Sequence, residues 1–151
     1  MIRKLKQEQF LPIGLDEAWS FFATPLNLNE LVDKSLGFKV ISELPAKMYE
    51  GLIITYKIHL YGLPMNWCTE ITHIKENIYF IDEQRKGPYR MWHHEHHFEA
   101  VKGGVLMTDL LFYDIGKWAF GWAAGKLFVD RKVREIFDHR YKVLEKRFAK
   151  H

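Results

Sequence analysis

Cysteine is nearly missing from this chain. Cys68 stands alone among 151 residues, which excludes an internal disulfide and every metal motif built on several cysteines. Long apolar runs are missing too. The longest apolar-rich stretch, Trp118 to Val129, is interrupted by Lys126 and is too short to cross a bilayer. The opening Met1-Ile2-Arg3-Lys4-Leu5-Lys6-Gln7 carries charge with no apolar run behind it. No secretory signal is read there, and a cytoplasmic protein is expected. Neither sign of charge dominates: 22 Lys and Arg stand against 19 Asp and Glu, a net +3. That balance is too mild and too interspersed for a nucleic-acid surface. A Gly-rich phosphate loop, a serine nucleophile elbow and a repeated Cys/His cluster are all lacking, which argues against nucleotide hydrolysis and ordinary serine hydrolysis. With no repeat, low-complexity tract or linker, residues 1–151 read as one domain.

What the chain does have is apolar and aromatic mass. Hydrophobic residues make up 48% and aromatics 15%, enough for a core without disulfide or metal support. Ile2 to Phe10 alternates weakly as a strand, and Pro12 ends it. Asp16 to Phe22 reads as a short helix with acids in its first turn, where they favour the helix dipole. Pro25 follows it, and Leu28, Leu31 and Val32 suggest a second short helix before Gly37. Strands are then expected over Phe38 to Leu44, Gly51 to Tyr61, Met65 to Ile74, Ile78 to Arg85, Arg90 to Val101 and Val105 to Tyr113. The gaps Gly62-Leu63-Pro64, Lys75-Glu76-Asn77 and Lys102-Gly103-Gly104 are hairpin-sized, so the sheet should be antiparallel.

The chain closes on a different period. Val129, Val133, Ile136, Phe137, Leu144 and Phe148 recur at helical spacing with charges between them. This amphipathic helix is expected to start near Trp118. The order is thus one strand, two short helices, six strands and a long helix, an α+β arrangement in which one helix covers one face of a curved seven-stranded antiparallel sheet. One helix does not fill such a concavity, so side chains or an internal cavity must take up the remainder.

Chemistry concentrates in Trp92-His93-His94-Glu95-His96-His97-Phe98. Alternate strand residues share a face. Trp92, His94, His96 and Phe98 form one set, and the polar set Met91, His93, Glu95, His97 and Glu99 should face water. Two inward imidazoles need partners, either in a structural network or at a ligand. Asp109 joins them if Met107, Asp109, Leu111 and Tyr113 face inward; otherwise it points to solvent. Phe80, Asp82 and Gln84 share a face and would add polar groups to the same interior or lie at the sheet rim. Arg140 falls inside the apolar stripe of the last helix, so it must snorkel to an end or meet an acid, Asp109 first and Asp82 second. His94-x-His96 with Asp109 or Asp82 as third ligand is a workable metal set. No further spacing motif supports it, and the expectation is of no metal and no cofactor.

The segment Phe80-Ile81-Asp82-Glu83-Gln84-Arg85-Lys86-Gly87-Pro88-Tyr89, followed by Trp92-x-His94-x-His96-x-Phe98, Thr108-Asp109 and Phe137-Asp138-His139-Arg140, resembles a bacterial subgroup of the START-like proteins. This is the SRPBCC superfamily, which also holds polyketide cyclases, pathogenesis-related plant allergens and lipid-transfer domains. With Pro12 to Phe22 the resemblance covers nearly the whole chain. It implies a helix-grip fold with a cavity between sheet and long helix, and inward placement of Trp92, His94, His96, Asp109 and Arg140. It carries no reaction, since the superfamily spans binders and enzymes. The expected partner is a small, largely hydrophobic molecule, held by Tyr56, Trp67, Gln84, Trp92, His94, His96, Asp109, Leu111, Tyr113, Phe128, Phe137 and Arg140. The enzyme alternative is a cyclase, dehydrase or hydrolase in which His94 acts as acid or base, Asp109 orients it, and His96 or Arg140 stabilises developing charge.

Overall fold

A computed structural model describes residues 1–116 and 123–149. The chain runs β1 (Arg3–Leu11), α1 (Leu15–Phe22), a 3-10 turn, α2 (Leu28–Leu31), a second 3-10 turn, β2 (Lys39–Val40), β3 (Ile53–Leu60), β4 (Leu63–Lys75), β5 (Tyr79–Lys86), β6 (Met91–Val101), β7 (Gly104–Asp114) and α3 (Ala123–Phe148). All seven strands join one antiparallel sheet in the order β1-β7-β6-β5-β4-β3-β2. Consecutive strands from β2 to β7 are therefore neighbours, and β1 closes the far edge beside β7. The long strands curve. On β4 the register shifts between Cys68 and Thr69 and again between Ile71 and His73, and each such irregularity bends a strand and increases its twist.

Two expectations at the sheet edge are corrected. The segment Phe38 to Leu44 forms only the two-residue strand Lys39–Val40. Past it, the Ser42 hydroxyl accepts the Thr55 N–H at 3.0 Å, while Ile41 N–H and Ser42 N–H both turn to Thr55 O. A side chain thus takes the role of the next ladder carbonyl and pairing stops. Such a short edge strand also offers little to a neighbouring molecule's strands. The second correction is Leu63-Pro64, expected in a turn but found in β4 opposite Leu60 and His59. Pro64 is tolerated because β5 pairs with β4 only from Cys68 onward, so its missing N–H breaks no ladder. The turn itself is Tyr61-Gly62, both at positive φ of 55° and 75°, the two-residue hairpin form.

Helix α3 lies across the concave face. Val129, Val133, Phe137 and Leu144 are buried, whereas Leu127 and Phe128 are exposed. Polar ties fix the helix in place: Arg3 pairs with Asp130 at 2.8 Å, Tyr113 Oη donates to Asp130 at 2.7 Å, and Gln9 Nε2 donates to Tyr141 O at 2.9 Å. The expected helix start near Trp118 lies outside the described residues. Helix α1 sends Ala18, Trp19, Phe21 and Phe22 into a cluster with Phe80, Phe98 and Leu144 that plugs one end of the concavity. The other end is filled by Trp67, Tyr89, Trp92 and Tyr113 beneath Val129, Val133 and Phe137. The candidate site lies where these two clusters meet.

Candidate functional site

Three neighbouring strands bring the polar residues together. Asp82 on β5 stands opposite His94 on β6, and His96 stands opposite Asp109 on β7. The hydrogen bonds run along the diagonals of this lattice, a reach that long side chains manage. His94 Nε2 lies 2.9 Å from Asp109 Oδ1, and His96 Nε2 lies 2.7 Å from Asp82 Oδ2. Longer approaches complete it: His96 Nδ1 to Asp109 Oδ1 at 3.2 Å and His94 Nδ1 to Asp82 Oδ2 at 3.6 Å. Both imidazoles and Asp109 are buried. His96 stacks on Phe80 at 4.1 Å between ring centroids, and His94 packs against Phe137 at 5.2 Å.

Arg140 reaches the cluster from α3. Its Nη1 pairs with Asp109 Oδ1 at 3.1 Å and its Nη2 donates to His96 Nδ1 at 3.3 Å. The stripe position of Arg140 is thus explained by an acid on the sheet. The cluster balances its charge largely within itself. Burial pushes the Asp109 carboxyl up, but the Arg140 guanidinium and the two histidines more than offset this and hold it well below the usual range. Burial also raises Asp82, while the His96 hydrogen bond and nearby positive charge bring it below its ordinary value. The imidazoles diverge. Burial and the neighbouring His96 push His94 down, although Asp109 and Asp82 oppose them. Burial pushes His96 down as well, yet its bonds to Asp109 and Asp82 carry it above the ordinary value against the charge of Arg140.

This cluster forms one wall of a cavity of about 190 Å³ between sheet, α3 and the segment after α1. Tyr56, Trp67, Trp92, His94, His96, Phe137 and Arg140 line it, together with Asp82. The rest of the wall is almost wholly apolar. Among the described residues, two buried donors on lining residues have no hydrogen-bond partner, Trp67 Nε1 and Arg140 Nε. An unpaired buried donor is costly, and both of these atoms are enclosed by protein.

Other residues named from the sequence are used elsewhere. Asp109 stands behind the histidines rather than on the cavity wall, and Leu111 and Tyr113 belong to the packed cluster beneath α3. Phe128 is exposed and touches Tyr61. Gln84 closes the turn that follows β5: its Nε2 donates to Tyr89 O at 2.6 Å and its Oε1 accepts from Tyr89 N–H at 3.2 Å. Gly87 leaves room for this arrangement, since a Cβ there would come within 2.3 Å of Gln84 Oε1 and displace the Gln84 side chain. Sequence reasoning did not place Leu28, Leu31, Val32, Leu36 and Ile136 on the cavity wall, where they are found. Their apolar character in short polar-flanked segments was the available signal.

A curved seven-stranded antiparallel sheet, two short helices after the first strand and a long helix laid across the concavity define the START-like helix-grip fold. Solved structures agree with that assignment. The chain is similar to Ara h 8.0201 (TM-score 0.62, 13% identity, covering 97% of this chain and 99% of that one). It is similar to ginseng major latex-like protein 151 from Panax ginseng (0.64, 13%, 99% of each) and to a Chromobacterium violaceum protein (0.72, 10%, 98% of each). Likeness at this identity defines the fold and not the chemistry. No protein-family model and no curated protein sequence matches the chain.

Proposed function

We propose that the protein binds a small, largely hydrophobic molecule carrying one oxygen-bearing polar group. The observation that carries this reading is the cavity of about 190 Å³, mostly apolar, with Asp82, His94, His96 and Arg140 gathered on one wall. Apolar walls with a few convergent polar groups are the usual make-up of a ligand site. A dry apolar cavity of about 150 Å³ suffices for benzene, so the volume suits a substituted ring or a short chain. His94, His96 and Arg140 on that wall would meet the oxygen-bearing group.

Decanoic acid and 2-naphthoic acid, a chain and a ring that each end in a carboxylate, are suitable probes. Native mass spectrometry should detect one molecule per chain, and tryptophan fluorescence should report its affinity. Ile136→Trp, which fills the cavity from α3, should weaken binding at least about tenfold, or 1.4 kcal/mol. Equal affinity in wild type and Ile136→Trp would place the probes elsewhere and defeat the reading.

One observation favours a second reading, catalysis on a carbonyl compound. His94 lines the cavity with its far nitrogen on Asp109, the arrangement of an oriented acid or base. On that reading His94→Gln would abolish turnover while leaving binding of the same compound nearly unchanged.

A further inference from the structure

Asp82, His94 and His96 each offer one donor atom, and these three atoms lie within 4.8 Å of one another, the one such group among the described residues. Two imidazoles and one carboxylate form a familiar donor set for divalent first-row transition metals, with positions left over for water or another ligand. A polar cluster alone would not distinguish a metal centre from a hydrogen-bonded network. The placement of Asp109 adds a second observation in favour of a metal centre. It stands on the opposite side of both rings, 2.9 Å from His94 Nε2 and 3.2 Å from His96 Nδ1. The nitrogens that face Asp82 are the other two, His96 Nε2 at 2.7 Å and His94 Nδ1 at 3.6 Å. Metal-bound histidines almost always give their second N–H to a carboxylate, a backbone carbonyl or a water, which fixes tautomer and ring orientation. Here one carboxylate serves both rings, and Arg140 pairs with it at 3.1 Å.

We propose that Asp82, His94 and His96 bind a divalent transition-metal ion, with Asp109 and Arg140 as the supporting shell. The site goes beyond the binding of an apolar molecule and does not depend on it. All three ligands line the cavity, so the remaining coordination positions open onto the apolar space.

Ion entry requires two local changes. Ligand atoms around one ion at about 2.0–2.2 Å stand roughly 3.0–3.5 Å apart, so His96 and Asp82 separate by a few tenths of an ångström from their hydrogen-bonded distance. Metal on His96 Nε2 also places the ring hydrogen on Nδ1, where it meets Asp109. Arg140 Nη2 then gives up its contact with Nδ1, while Nη1 remains on Asp109. Two carboxylates, buried Asp109 and part-buried Asp82, offset most of the charge that the ion and the Arg140 guanidinium bring.

The test uses Co²⁺, whose visible absorption reports its ligands. Protein stripped with a chelator and dialysed against Co²⁺ should hold one ion per chain, show the absorption of a histidine-bound ion, and melt at a higher temperature than the stripped protein, because an ion bound only to the native state stabilises it. Asp82→Asn, which keeps the size of the side chain, should lose the ion. Asp109→Asn should keep it with affinity reduced about 10–100-fold. The outward pair supplies the control, since His93 and His97 lie near Glu83 and Glu95 on the other face. His93→Ala/His97→Ala should retain the ion and its spectrum. The proposal is overturned if wild type takes up no stoichiometric Co²⁺ and gains no thermal stability. It is equally overturned if the ion persists in Asp82→Asn and leaves in His93→Ala/His97→Ala.

Discussion

Strand β6 carries a pair of histidines on each face, and the two pairs live under different rules. His94 and His96 are each 6% exposed, and their partners Asp82 and Asp109 are held by strands β5 and β7. His93 and His97, with side chains 28% and 39% exposed, share Glu95 at 3.1 and 2.7 Å, and His93 also meets Glu83 at 2.6 Å. Both pairs meet carboxylates, but the inner two are i, i+2 with aspartates on neighbouring strands, and the outer two are i, i+4 around Glu95. The larger difference is access to solvent. On the outer face water and salt stand in for a lost partner, so each pair contributes little. On the inner face nothing replaces a lost partner, and the group left behind is a buried charge.

The largest effect should come from breaking the inner lattice. His96→Leu removes the ring that touches both carboxylates and is expected to lower unfolding stability by about 3–5 kcal/mol in urea titration. His97→Leu, one residue along, should fall within about 0.5 kcal/mol of wild type. Similar losses at the two sites would erase the distinction between the faces. A smaller net effect is expected when charge is removed in balance. Arg140→Met alone leaves Asp109 without its guanidinium, whereas Arg140→Met/Asp109→Leu removes both members of that pair and should recover most of the loss. Failure of the double variant to recover would mean that the histidines, not Arg140, set the energy of Asp109. The smallest effect is on the outer face. Glu95→Gln should cost no more than about 1 kcal/mol at low salt and close to nothing in about 1 M NaCl, where the screening length is only about 3 Å. The Arg140→Met cost, measured in the same salt series, should stay nearly constant.

The contrast between the faces also explains what could be read from the sequence. The alternation of Trp92, His94, His96 and Phe98 against polar neighbours was enough to turn the two histidines inward, because a strand has only two faces. The amphipathic period of α3 was enough to aim Arg140 at the sheet. Hairpin-sized gaps gave the strand order. Asp109 was harder, since both faces of β7 are apolar and its direction is set by pairing with β6. Gln84 shares the parity of Asp82 but is drawn off by the backbone of Tyr89, a contact across a turn that periodicity does not carry. The cavity wall contributed by Leu28, Leu31 and Leu36 depends on how a short irregular segment folds over the sheet, which local pattern leaves open. Phe128 looked like a wall residue on composition, and α3 turns it outward. The missing length of β2 comes from one serine hydroxyl competing for the ladder.

The cross-strand lattice has a consequence for how β6 finds its alignment. A slip of one residue along β5 and β7 would turn Trp92 and Phe98 outward and bring the polar set inward, with one outer histidine landing on a lattice position. Glu95 lies between the two inward positions. A slip in one direction sets it opposite Asp82, and a slip in the other sets it opposite Asp109. Either misalignment forces two carboxylates together away from water, where like charges repel most strongly. The acids on β5 and β7 therefore add a like-charge penalty to both nearest errors, on top of the polar side chains that either slip would bury.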